Sequence, residues 1–253
     1  MWPTQASLYI EPVSPGGEPL SGATGFVVTR ADGTDFLLTA RHVLTGRHDE
    51  TKQIMHSSGA TPEKVRIYHY GALMTVPEVI TQDLYDDDGD QVFIEDPSMV
   101  DVETADVVAL PLSRPRYGAI VRSYELPPTA EPPSVTAPVW IVGYPAGSRR
   151  DGHELAVWSR GSVATDPVST WHGDRFLVDS RTRPGQSGAP VISFVSAHSS
   201  FSPDGQVRHD FADSWTLLGL YSGRLYNGNK ESSDLGSVWT VSAIRRILYG
   251  VDI

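Results

Sequence analysis

The sequence contains no cysteine. That absence removes disulfide bonds, thiol nucleophiles and thiolate metal ligands together, so a disulfide-stapled scaffold, a cysteine peptidase and a zinc ribbon are all excluded. Long apolar runs are missing as well, and no stretch approaches the ~20 residues of a membrane-spanning helix. The opening "MWPTQASLYIEPV" has no basic segment followed by an apolar one. No secretory leader is read there, and a soluble cytoplasmic protein is expected. Positive charge is in deficit: 20 Lys and Arg stand against 31 Asp and Glu, a net charge of −11. Binding to nucleic acid or to an anionic membrane needs a basic surface, so neither partner is expected. Helical periodicity is scarce until the end. There Val241, Ile244, Ile247 and Leu248 share one helical face, with Gly250 as a stop.

What the chain has in quantity is short apolar segments rich in Val, Ile, Leu, Tyr and Trp, separated by Gly, Pro and Asp clusters. They include "SLYIEPV" (7–13), "GFVVTR" (25–30), "DFLLTARHV" (35–43), "KVRIYHYG" (64–71), "QVFIED" (91–96) and "ADVVALPL" (105–112). A second series holds "PVWIVGYP" (138–145), "RFLVDSRT" (175–182), "APVISF" (189–194) and "WTLLGLYSG" (215–223). This is how an all-β sandwich or barrel reads. The stretch 124–138, "YELPPTAEPPSVTAP", carries five prolines and suits a stiff extended connector. It divides the 253 residues into lobes at 1–123 and 139–253, each long enough for its own core.

Three stretches carry chemistry. "LLTARHV" places His42 near the end of an apolar strand, "TADVVALPL" places Asp106 at the opening of another, and "PGQSGAP" sets Ser187 between glycines. A serine hydroxyl is a poor nucleophile until a base takes its proton, and the base needs an orienting acid. His, Asp and Ser occur in that order, 64 and then 81 residues apart, so only the fold brings them together. Gly185 lets the chain turn so that the N–H groups of Gly185 and Ser187 converge on a developing oxyanion. Other readings of this serine fail. A nucleophile elbow needs glycine two residues after the serine, where Ala189 stands, and a phosphate cradle needs a lysine and a following helix.

Taken together, "SGATGFVV", "LLTARHV", "ADVVAL", "IVGYPAG" and "PGQSGAPV" resemble the trypsin/chymotrypsin-like serine peptidases, and within them bacterial cysteine-free branches such as glutamyl endopeptidases and Htr-type proteases. The resemblance runs from about Gly22 to Gly223. It implies one peptidase domain of two antiparallel six-stranded β-barrels packed around an active-site cleft, with a short C-terminal helix. It also implies roles: His42 as general base and acid, Asp106 as its orienter, Ser187 as nucleophile, and Gly185 and Ser187 as the oxyanion hole. No cofactor or metal is called for. The substrate would be a protein or peptide. A catalytically silent binding module on the same fold is the alternative, and a protein activator or a partner from the same operon is a further expectation.

Two departures from the family pattern matter. Gln186 stands where digestive trypsins carry the aspartate that pairs with a new N-terminal ammonium, so no such ion pair is available. The resemblance places substrate-pocket walls at Arg181 and Thr182 and along the strand holding Tyr221, Ser222 and Gly223. Arg181 replaces the trypsin aspartate, which disfavours cleavage after Lys or Arg. If it points inward an acidic residue is preferred before the scissile bond; if it points to solvent it decides nothing. "DLYDDDGDQVFIED" (83–96) places acids at several calcium-loop positions but Leu84 at the first, and reads as a hairpin turn. The polar stretch 198–215 is read as a lid, a docking loop or a disordered segment.

Overall fold

The computed structural model describes residues 3–49, 51–71, 77–96, 105–113, 115, 120–127, 133–146, 155–166, 174–197, 199–201, 207–209, 213–225 and 234–250. A one-turn helix, Pro3–Ala6 (α1), leads into the strands of the first lobe: Ser7–Val13 (β1), Ala23–Thr29 (β2), Asp35–Thr39 (β3), Lys64–Tyr70 (β4), Pro77–Asp83 (β5), Val108–Pro111 (β6) and Ser123–Tyr124 (β7). A second short helix, Arg41–Thr45 (α2), follows β3. The second lobe is built from Pro138–Gly143 (β8), Val157–Val163 (β9), Arg175–Ser180 (β10), Ala189–Val195 (β11), Ser214–Arg224 (β14) and Leu235–Thr240 (β15). Between β11 and β14, within the polar stretch 198–215, Ser199–Phe201 (β12) and Val207–His209 (β13) pair as a separate hairpin. Residues 198, 202–206 and 210–212 of that stretch lie outside the described residues.

Side-chain alternation explains how the first sheet is sided. In β4, Val65, Ile67 and His69 are buried while Lys64, Arg66 and Tyr68 are half-buried, the period-two pattern of a strand with one face on a core. β2 departs from alternation and is buried at every residue but Thr29. It is sandwiched, because besides β1 and β3 it meets β8 and β11 of the second lobe. The main hydrophobic cluster therefore runs through both lobes, with Phe26, Leu38 and Val108 from the first and Ile192, Leu217 and Trp239 from the second. A smaller cluster around Ile141, Phe176 and Val191 belongs to the second lobe alone.

The second lobe closes into the expected six-stranded barrel, in the order β10, β15, β14, β11, β8, β9. The first stays a half-barrel, ordered β5, β4, β1, β2, β3, β6, with β7 beside β2. Its end strands do not pair. β6 is only four residues long, and its outer edge is taken at Ala109 by a bridge to Ile94. The seam is spanned by one side chain: Gln82 of β5 donates to the Pro111 carbonyl and accepts from the Ser113 N–H at 3.2 Å.

The stretch expected to connect the lobes begins as part of the first one. β7 pairs with β2 in parallel, and Tyr124 is buried edge-on against Phe26 and Trp215. Residues 128–132 of that connector lie outside the described residues. The acidic stretch after β5 forms a tight turn. Asp86 accepts from the N–H groups of Asp88 and Asp90, and Tyr85 bridges Gln91. The terminal helix, Val241–Tyr249 (α3), buries the predicted apolar face and stops at Gly250, whose φ of 76° is left-handed. It packs on β14, β15 and also β6, and Arg246 pairs with Asp96 of the first lobe and Asp174 of the second. Among the described residues no helix is long and apolar enough to cross a membrane.

Candidate active site

The apolar run expected as a strand over 35–43 ends at Thr39, and His42 stands on the single turn of α2. Gly46, left-handed at φ 65°, closes that turn by donating its N–H to the His42 carbonyl. The turn aims the ring at Asp106, which lies in a bend two residues before β6 and is 1% exposed. One carboxylate takes three bonds. Oδ1 accepts the His42 backbone N–H at 2.8 Å, and Oδ2 meets His42 Nδ1 at 2.7 Å and the Ser222 hydroxyl at 2.5 Å.

A carboxylate only accepts, so Nδ1 carries the proton and Nε2 is left as an acceptor. Burial alone would raise the acid, but the His42 ring and the bonds from His42 and Ser222 outweigh it and hold Asp106 below the ordinary range. For His42, burial acts downward; the charge and hydrogen bond of Asp106, then the charge of Asp49, outweigh it and raise the ring above 6.5. Asp49 is a contributor that sequence reasoning missed. It follows α2 in a polar loop with no recognisable motif.

Ser187 lies in the loop between β10 and β11, and the backbone of that loop is almost fully used. Gln186 N donates to Arg183 O, Gly188 N to Tyr221 O, and Ala189 N to Gln186 O. Between Pro184 and β11, only the N–H groups of Gly185 and Ser187 make no hydrogen bond among the described residues. Gly185 sits at φ 94°, and a Cβ there would come within 2.4 Å of the Tyr144 carbonyl, so no other residue fits. A Cβ at Gly188 would come within 2.1 Å of the Thr24 carbonyl.

The loop is held from two sides. Thr24, on β2 of the first lobe, donates its hydroxyl to Gly185 O at 2.8 Å and its N–H to Ser187 O at 3.0 Å. The same hydroxyl accepts from Tyr144 N at 2.9 Å. Thr24 was also missed, since a threonine in a strand looks like any other strand former. From the second lobe, the fully buried amide of Gln186 donates to Ser159 of β9 at 2.9 Å and accepts from Arg183 N at 2.8 Å. A neutral internal anchor thus occupies the place where the trypsin pattern has an ion pair.

Ser187 and His42 line one cavity of about 360 Å³ at the junction of the lobes. No hydrogen bond joins their side chains among the described residues, a contact that in resting sites often tightens only with substrate bound. In comparison with known families, the trypsin-like peptidase domain matches residues 23–196. The chain belongs to the trypsin-like peptidase family. Among solved structures, the active form of Rv3671c protease from M. tuberculosis is similar at 17% identity and a TM-score of 0.50, over 97% of this chain and 80% of that one. An inactive form of the same protease is 15% identical with a TM-score of 0.46, covering 99% and 90%. At such identities the likeness is one of fold. No curated protein matches the sequence.

The expected pocket walls of this trypsin-like chain are arranged differently from one another. Thr182 and Tyr221 are buried and share a 2.5 Å hydrogen bond between their hydroxyls. Ser222 faces away from them, toward Asp106. Arg181 is exposed. The guanidinium that meets Thr182 belongs instead to Arg224, which donates to its carbonyl and, at 3.4 Å, to its hydroxyl. Sequence gives no means of telling which of two arginines turns inward. Pairing of β11 with β14 ends at Tyr221, while β15 continues beside β14 to Arg224. Ser222, Gly223 and Arg224, with Arg175, Asp49 and His42, border a second cavity of about 120 Å³. Among the described residues no cluster of three potential metal ligands occurs.

Proposed function

We propose that the chain is a serine endopeptidase acting on a protein substrate through Ser187, His42 and Asp106. The observation that carries this reading is the convergence at one cleft of His42, bonded to the buried Asp106 with Nε2 left as acceptor, and Ser187, whose own N–H and that of Gly185 make no hydrogen bond among the described residues. His42 Nε2 takes the proton of the Ser187 hydroxyl as Oγ attacks the scissile carbonyl. The N–H groups of Gly185 and Ser187 receive the oxyanion, and the charge on Asp106 stabilises the imidazolium. His42 then returns the proton to the leaving amine, and water cleaves the acyl-enzyme by the same steps in reverse order. The acyl half of the substrate lies along the β14 edge left open after Tyr221, in the manner of an added strand.

Gln186 supports a second element of the proposal: the loop is set without a new N-terminus, so no proteolytic maturation is required. One experiment tests both. A fluorophosphonate probe is expected to label the uncut chain beginning at Met1, and Ser187→Ala and His42→Ala are each expected to abolish labelling. Labelling that survives Ser187→Ala would move the nucleophile elsewhere. Labelling confined to a clipped form would overturn the maturation-free reading. No labelling of folded wild-type chain would favour a binding module on a peptidase fold.

A further inference from the structure

His42 stands between two cavities of opposite character. The smaller, beside Ser222–Arg224, is charged, with Asp49, Arg175 and Arg224 around it. The larger, about 360 Å³ against 120 Å³, shares His42 and Met55 with it but has no residue of β14 in its lining, and Gly185 and Ser187 form part of its wall. Its remaining surface is mostly apolar, with Leu20, Val43, Met55, Pro62 and Pro184; Ser21 and His56 are its polar members beside His42 and Ser187, and the described lining holds no Asp, Glu, Lys or Arg. Val43 and Pro62 are buried, and Gly46, which caps the His42 turn, packs against Pro62. The wall is thus continuous with the catalytic helix turn. A volume above 300 Å³ is in the range that accepts an organic side chain of any size.

On the proposed serine-peptidase reading, on which this inference rests, the acyl half of the substrate runs beside β14. The group that departs then lies away from β14, where the larger cavity opens beside Ser187 and His42. We infer that this cavity receives the side chain of the residue directly following the scissile bond, and that it selects a large apolar one, Leu or Phe class. Much of this peptidase's selectivity would then sit on the leaving side, where an apolar side chain leaves water and an acidic one finds no Lys or Arg to pair with.

Acyl transfer isolates that side. With p-nitrophenyl acetate, Ser187 Oγ displaces nitrophenolate and forms an acetyl ester. An added amine attacks the ester carbonyl, a C–N bond forms as the C–Oγ bond breaks, and His42 moves the amine's proton to Oγ. The product ratio of N-acetyl amide to acetate, at equal concentrations of free-base amine, reports how well each amine competes with water at the leaving side. Leucinamide and phenylalaninamide are expected to partition on the order of 10- to 100-fold better than glycinamide, and aspartic acid amide no better than glycinamide. Leu20→Asp and the exposed Met55→Asp are each expected to flatten that preference, and two variants guard against one that fails to fold. Equal partitioning of all four amines by wild-type chain would overturn the inference while leaving the peptidase reading intact. Failure of the wild-type chain to react with either ester or fluorophosphonate would remove both.

Discussion

At the scale of residues, legibility followed chemistry. The candidates His42, Asp106 and Ser187, which line or adjoin one cleft, could be picked out because acyl transfer tolerates few residue types and the family motifs surround all three. Gly185 was readable for a similar reason, since a left-handed turn against the Tyr144 carbonyl excludes any side chain. Thr24 was invisible. Its work is done by one hydroxyl and one N–H acting on backbone carbonyls, which leaves no spacing or composition to find. It carries a prediction. Thr24→Val keeps the shape but removes the bond to Gly185 O and leaves Tyr144 N without its acceptor. On the proposed activity, loss of loop order should reduce kcat/KM by up to roughly 100- to 1000-fold, the range seen when an oxyanion donor is removed. The stability cost should stay near 1–3 kcal/mol. Steady-state kinetics set beside thermal unfolding would separate the two. A fall in stability with kcat/KM unchanged would mean that the oxyanion loop does not depend on Thr24.

At the scale of elements, most strands were legible and their ends less so. The run 35–43 reads as one strand because the helical turn that begins at Arg41 is too short to have a period of its own, and the left-handed Gly46 that closes this turn lies beyond the run. "QVFIED" reads as a strand by composition but makes only isolated bridges, Gln91 to Tyr85 and Ile94 to Ala109. β4 was read correctly, yet it holds an anomaly. His69 occupies a core position in line with Val65 and Ile67, opposite Glu78, and neither ring nitrogen has a hydrogen-bond partner among the described residues. Burial lowers its pKa from 6.5 to about 4, the charge of Glu78 offsetting only part.

The unfolded chain therefore takes up this proton at higher pH than the folded one. Stability is full above about 6.5 and is lost as pH falls toward 4, by as much as about 3 kcal/mol from this residue. Denaturant titrations at pH 7.5 and 4.5 should show that loss in wild-type chain and a smaller one in His69→Phe. An equal loss in both would place the acid sensitivity elsewhere.

At the scale of the whole molecule, the two-lobe plan and the closed second barrel were legible, but the open first sheet was not. Barrel closure depends on strand lengths and on which edge meets which, and composition records neither. The first sheet stays open at a seam bridged by Gln82, while the second closes. The lobes share a core, an ion-pair cluster on Arg246, and the Thr24 clamp. The site is therefore the place where they are joined, and small rotations between them reach it first. Low urea should abolish fluorophosphonate labelling before tryptophan fluorescence reports unfolding. Coincident transitions would show that the lobes and the site come apart together.

Gln186 has one more consequence. On the proposed reading, a loop pinned by the uncharged Gln186 and by Thr24 needs no new N-terminus to be set, so no irreversible trigger is called for. On the proposed activity, restraint in the cell has to be exercised from moment to moment, by what is allowed to reach the cleft. It would then be reversible, unlike the one-way release of a digestive zymogen.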